Sequence, residues 1–185
     1  MNSDAKYPCR RPIRLRDYDY SQNGAYFVTI CTHKRECLFG EIVNGEMQLN
    51  DIGRVVVDEW LKTPQIRDEI DLDQWVIMPN HFHGIIVINR RGTLQRAPTH
   101  EQFGKPTSNS IPTIIRLFKS TVTKRINEFR NTPQQPVWQR NYYEHVIRNE
   151  DSLNQIREYI FNNPDQWEFD QENPLVQSRG TLQRA

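Results

Sequence analysis

The sequence predicts an α+β sandwich, in which an antiparallel or mixed sheet is covered by helices. Three observations carry this. Short β-branched strands are interleaved with helices, one pair of strands reads as a hairpin, and 185 residues suffice for one domain with tails.

The elements follow in order. Residues 1–22 form a basic arm rich in Arg, Asp and Tyr. Ala25 to Thr32 is apolar and β-branched, a buried strand. Two short strands flank Asn44-Gly45, a pair that favours a hairpin turn. From Asp51, Ile52, Val55, Val56, Trp60 and Leu61 recur at helical spacing, and the helix ends before Pro64. Two further strands, "LDQWVIMPN" and "HFHGIIVIN", are broken at Pro79-Asn80. Residues 89–110 read as an inserted polar loop. After it, Ile115, Leu117, Phe118, Val122 and Ile126 line one side of a basic amphipathic helix. "VWQRNYYEHVIR" mixes strand and turn character. The last helix has Asn149 as its cap, acids in its first turn and Pro164 beyond its end. The folded domain is expected over 23–167, with 168–185 a flexible tail. A ferredoxin-like topology fits this order.

Composition narrows the function classes. Hydrophobic residues make up 36% and charged residues 25%, with a formal net charge of +1, so bulk charge announces no polyanionic partner. Its distribution is more telling: Arg10, Arg11, Arg14 and Arg16 crowd the arm, and Lys119, Lys124 and Arg125 share the amphipathic helix. Local basic stripes of this kind bind phosphates even when the total balances, although solvated faces read the same way. The N-terminus lacks the apolar core of a signal peptide, and no stretch is long enough to span a bilayer. Three irregularly spaced cysteines favour a reducing cytoplasm over a disulfide framework. Cys31, His33 and Cys37 match no common zinc spacing.

The chemistry concentrates in "MPNHFHGIIVI". His81 and His83 are two apart on a strand, so both leave one face, roughly 7 Å apart at Cα, while Phe82 points into the core. Two imidazoles on one face make half of a metal site, expected to face an open polar cleft. A bare His-x-His is also common as two unrelated histidines. Tyr159 and Asn163 are one helical turn apart and share a face. Taken alone, each has a bland explanation: a core tyrosine and a helix-end asparagine.

His81-Phe82-His83 resembles the HUH motif (His, hydrophobe, His) of single-strand DNA nucleases. With "WVIMPNHFHGII", the "FKS" helix, "VWQRNYYEHVIR" and "YIFNNP" in the same order, the chain from about Arg11 to Trp167 resembles the REP-associated tyrosine transposases, kin of single-tyrosine insertion-sequence transposases. The resemblance implies a ferredoxin-like sheet with the HUH motif on a central strand. It implies Tyr159 as nucleophile, and His81, His83 and Asn163 as ligands of Mg²⁺ or Mn²⁺. Insertion-sequence relatives often carry Gln at the last position, so Asn163 requires a slightly closer helix. Three neutral donors leave a divalent cation its full charge for the scissile phosphate, and mixed N and O ligands suit these ions better than structural zinc. The implied reaction cuts and rejoins single-stranded hairpin DNA at palindromic repeats through a 5′-phosphotyrosine, which conserves the bond energy without a nucleotide cofactor. A phenol of ordinary pKa near ~10 needs activation, and no base is obvious.

The basic residues named above would grip phosphates, and Trp138, Tyr142 and Tyr143 would stack unpaired bases. Tyr142 and Tyr143, close to His145, are rival nucleophiles, but only Tyr159 has a ligand candidate one turn away. The competing functions are a non-catalytic hairpin-binding protein and a phosphodiesterase that uses water. The protein would act as a monomer or homodimer.

One phrase stands apart. "RGTLQRA" occupies Arg91–Ala97 and returns at Arg179–Ala185. Two isolated copies make no solenoid. Arg91 to Pro98 can be encoded by CGG GGC ACG CTG CAG CGT GCC CCG, a string that is its own reverse complement. The phrase reads as the translated trace of a mobile palindromic DNA element, placed in a loop and at a terminus, where insertions are best tolerated. Sequencing the gene tests this: both segments should use codons that fold into hairpins, and codons that cannot fold would contradict it. Deleting Arg91–Ala97 should leave DNA cleavage intact.

Overall fold

The computed structural model describes residues 18–90, 107–170 and 172–174. Within them the apolar alternation becomes a four-stranded sheet made of β1 (Gly24–Cys31), β4 (Ile70–Met78), β5 (His81–Ile88) and β6 (Tyr143–Ile147). The strand order is β4-β5-β1-β6 and every pairing is antiparallel. Helix α1 (Asp51–Leu61) carries the chain from β1 to β4, and α3 (Ile111–Arg130) carries it from β5 to β6. This β-α-β-β-α-β path with interleaved strands is the ferredoxin-like arrangement. β5, with the two histidines, is one of the two inner strands.

Two additions decorate the frame. Strands β2 (Gly40–Val43) and β3 (Glu46–Leu49) form a separate hairpin. Its turn residues Asn44 and Gly45 have φ of 54° and 78°, both in the left-handed region that a tight hairpin turn demands. Helix α4 (Glu150–Asn162) follows β6, capped at its start by the Asn149 side chain accepting from the Ser152 amide. Helix α1 ends at Leu61, before Pro64 as the pattern predicts, and Pro64 sits in the first turn of a short helix α2 (Thr63–Ile66).

The period of two along the strands sorts side chains into two cores. Tyr26, Val28, Ile30, Phe82 and Ile86 face α1 and α3, where they meet Trp60, Ile115, Phe118, Val122 and Ile126. The opposite residues Phe27 and Ile85 face α4 and meet Ile160, with Leu153 and Ile156 at the margin. Ion pairs fix the helices laterally. Arg125 reaches Glu59 at 2.6 Å and Asp58 at 3.2 Å, joining α3 to α1, and Arg157 reaches Asp73 at 2.6 Å, joining α4 to β4. Tyr20 belongs to the main core, so the chain is already anchored before β1. Among the described residues no helix is long and apolar enough to cross a membrane.

Gly84 sits where the main core presses closest to the sheet. A Cβ there would lie 2.7 Å from the Trp60 ring and 2.8 Å from the Phe82 ring, and those rings are themselves 4.5 Å apart at their centroids. Gly84→Ala should therefore destabilise the fold by about 1–3 kcal/mol through overpacking. Urea unfolding checks it, and a neutral or stabilising result would contradict this packing.

Candidate functional site

The strand alternation that sends Phe82 into the main core sends His81 and His83 toward α4, with their rings 4.6 Å apart. Each imidazole is held by one nitrogen. His83 Nδ1 lies 2.8 Å from Thr29 Oγ1, on the strand paired with it, and the ring stacks on Phe27. His81 Nδ1 lies 2.9 Å from Asn80 Oδ1. Because a carboxamide oxygen can only accept, Nδ1 of His81 carries the proton and Nε2 is left with a bare lone pair. That Nε2 is buried without a hydrogen-bond partner.

Helix α4 brings the other half. The Tyr159 hydroxyl lies 3.3 Å from His83 Nε2, and its ring meets Phe27 edge-on. One turn later, Asn163 is 3% exposed and its Oδ1 is also buried and unpartnered. Two orphaned lone-pair donors beside a histidine pair are costly unless something electropositive satisfies them. The donor chemistry, imidazole nitrogen and amide oxygen, fits a divalent cation of the Mg²⁺ or Mn²⁺ kind. Among the described residues, His, Cys, Asp and Glu side chains alone do not assemble a cluster of three. The amide of Asn163 is what would complete the set.

The electrostatics agree. Burial drives the His81 pKa down to about 4 despite the opposing charge of Asp170, and burial with the His81 charge holds His83 well below its ordinary value. Both rings therefore stay neutral, the state that donates to a metal. Burial raises the Tyr159 pKa, while the neighbouring Asn163 amide opposes it.

The sequence expectation of an open polar setting for the histidines is corrected here. His81 is fully buried and His83 is 4% exposed, because Trp167 and α4 close over them. The open part is a neighbouring cleft of about 730 Å³, lined by Thr29, His83, Tyr143, Tyr159, Asn163 and Asp170 among others. Tyr159 is half exposed at its wall.

The remaining named residues divide. Tyr142 and Tyr143 line the cleft, and Tyr143 is exposed. Trp138 does not join them: it is 7% exposed and packs on Phe39 and Phe118, so its ring is not available to a base. Lys119 is turned inward and donates to the carbonyls of Gln139, Arg140 and Asn141, with burial lowering its pKa to about 8. It braces the loop beside the cleft. Arg125 is engaged with Glu59 and Asp58, whereas Lys124 is largely exposed near Glu128. Arg10, Arg11, Arg14, Arg16 and both RGTLQRA copies lie outside the described residues.

Three residues absent from the sequence reading matter. Asn80 fixes the His81 tautomer and donates to the carbonyls of Arg35 and Glu172. Its place at the Pro79-Asn80 turn was the one available signal. Asp170 and Glu172 come from the stretch expected to be tail, where a 3-10 turn at Trp167–Phe169 and the buried Asn173 fold the chain back against the site.

Comparison with known proteins adds three findings. No family model matches the chain. A Haemophilus influenzae protein, described as uncharacterized, is 48% identical over 169 residues, covering 88% of this chain and 92% of that one, and the chain belongs to its family. A solved structure of a REP-associated tyrosine transposase bound to a REP hairpin superposes with a TM-score of 0.58 at 19% identity, covering 83% of this chain and 73% of that chain. The fold is the REP-associated tyrosine transposase fold.

The buried histidines make stability depend on pH. Below pH 6.5 the unfolded chain protonates imidazoles that the folded protein keeps neutral, so stability falls as pH drops through that window toward 4. Between pH 7 and 5, His81 alone should account for a loss of about 2 kcal/mol. In EDTA, urea unfolding of His81→Gln should show a correspondingly shallower loss, and an unchanged slope would refute the assignment.

Proposed function

We propose that this chain, a member of the Haemophilus protein's family with the fold of the REP-associated tyrosine transposases, cuts and rejoins single-stranded DNA at palindromic, hairpin-forming repeats. The observation that carries the reading is the meeting of Tyr159 with His83 at 3.3 Å, beside the unpartnered lone pairs of His81 and Asn163. A hairpin-bound relative of the same fold supports the substrate class.

In this reading His81, His83 and Asn163 would hold a divalent cation, whose charge would polarise the phosphoryl oxygen and favour the phenolate of Tyr159. The chain's own residues do the rest. Asn80 and Thr29 hold the Nδ1 side of each ring, so that both Nε2 atoms face the site. Phe27, against both His83 and Tyr159, sets the angle at which the phenol meets the site. The Tyr159 oxygen attacks phosphorus in line, the bond to the 3′ oxygen breaks, and that oxygen leaves as a hydroxyl. The 5′-phosphotyrosine remains until an incoming 3′-hydroxyl reverses the step, restoring the phenol.

Tyr143, exposed on β6 and 6.3 Å from Phe27, offers a ring for an unpaired base. Lys124, exposed on α3 and 3.9 Å from Glu128, adds a positive charge to that face.

Tyr159→Phe removes the hydroxyl and keeps the ring. It should abolish a denaturant-resistant protein–DNA adduct with single-stranded repeat oligonucleotides and Mn²⁺, while hairpin affinity stays within about twofold. Retention of the adduct would move the nucleophile to Tyr143 or Tyr142. Cleavage by wild type without any adduct would favour hydrolysis by water.

A further inference from the structure

The cleft beside Tyr159 is not lined as a phosphate groove would be. Among the described residues no lysine or arginine lines it, while the carboxylates of Asp170 and Glu172 do. A wall of that charge repels phosphates. What it offers instead is hydrogen-bonding edges and rings. The side-chain amides of Gln139, Asn141 and Gln166 reach the cleft, and among the described residues none of the three is engaged in a hydrogen bond. Two rings stand exposed in it, Tyr143 on β6 and Phe169 on the 3-10 turn, the latter 76% exposed. Phe169 is held outward by a braced backbone. Its amide donates to the Gln166 carbonyl at 2.9 Å, and Asn173 donates to the Trp167 carbonyl of the same turn at 2.8 Å.

We propose that this cleft is a pocket for one unpaired nucleobase bearing an exocyclic amino group, stacked on Phe169 and read by Gln139, Asn141 and Asp170. This rests on the single-strand reading above and names the part of the strand that the cleft takes. A carboxamide sets a donor beside an acceptor, the complement of the amino group and ring nitrogen that adenine and cytosine carry side by side. A carboxylate only accepts, so it favours an amino hydrogen over the carbonyl oxygens of thymine. Asp170 Oδ1 accepts from the Glu172 amide at 2.7 Å, which aims the carboxylate. The reading loop is fixed as firmly. Lys119 donates to the carbonyls of Gln139, Arg140 and Asn141 at 2.7, 3.2 and 3.4 Å, and the Gln139 amide donates to the Cys31 carbonyl at 2.9 Å. Both amides are thus presented from a backbone that does not have to order on binding. Tyr159 lines the same cleft, so a base held there brings its adjoining phosphate to the phenol.

Fluorescence anisotropy of labelled DNA hexamers on the full chain in EDTA reads the pocket without metal or cleavage. The probes are a hexamer of deoxyadenosine, the same hexamer built from purine lacking the 6-amino group, and a wholly abasic hexamer. The adenine hexamer should bind at least about tenfold more tightly than the abasic one. It should bind at least about fivefold more tightly than the hexamer without amino groups. Phe169→Ala should weaken adenine binding at least about fivefold. Phe161, 73% exposed on α4 and not among the residues that line the cleft, is the control, and Phe161→Ala should change binding less than about twofold. Replacing Gln139 and Asn141 together by Ala should erase the preference for the amino group. Thermal melts establish that the variants are folded. Equal binding of the adenine and abasic hexamers, equal binding with and without the amino group, or an unchanged Phe169→Ala would each overturn the pocket. The adduct assay keeps the two readings apart. An adduct without any base preference overturns the pocket and leaves cleavage standing, whereas base preference without an adduct supports the pocket and removes the cleavage.

Discussion

The two-faced alternation of β5 is the constraint on which the structure depends. Phe82 must enter the main core, where it meets Trp60 and Phe118, and this obliges His81 and His83 to face α4. A slip of one residue would turn the phenylalanine toward α4 and drive both imidazoles into the main core against Trp60 and Phe118. The pairing with β1 prevents this along its whole length, from Gly24 opposite Ile88 to Cys31 opposite His81. Packing energy thus sets the position of the polar site, and the site needs no separate scaffold.

Helix α4 answers that geometry from above. Ile160 is fully buried against Phe27 and Ile85, so Tyr159, one residue earlier, emerges at the edge of the contact beside His83. Asn163, a turn beyond, falls over the histidines. The Arg157–Asp73 ion pair keeps the helix from rotating about its apolar stripe. Burial then does chemical work: it holds both imidazoles neutral and gives every nearby charge a longer reach than in water. The same burial leaves lone pairs unsatisfied, a cost that a stable protein tolerates where a ligand can offset it.

Much of this was legible beforehand. Period-two and period-3.6 patterns located the strands and helices, and the sheet order followed the ferredoxin-like expectation. The face shared by His81 and His83 followed from their spacing alone, and that of Tyr159 and Asn163 from one helical turn. What sequence pattern could not show was depth. Trp138 reads as a surface aromatic near two tyrosines, yet the bridge between Thr32 and Trp138 folds it into the core. Lys119 and Arg125 read as phosphate grips, yet partners distant in sequence claim both. Asp170 lies in a stretch with no periodicity, because a 3-10 turn and side-chain hydrogen bonds, including Asn173 donating to the Trp167 carbonyl, hold it in place of an apolar stripe.

The central claim is that the β5–α4 face makes Tyr159 a nucleophile toward single-stranded DNA. Mapping the modified residue tests it most directly. The wild-type chain, incubated with a single-stranded repeat oligonucleotide and Mn²⁺, is denatured, digested with nuclease and trypsin, and weighed peptide by peptide. The account predicts a nucleotide mass on the peptide that begins at Glu158, fragmenting to Tyr159. A nucleotide on the peptide carrying Tyr142 and Tyr143, or cleaved DNA with every peptide unmodified, would contradict it.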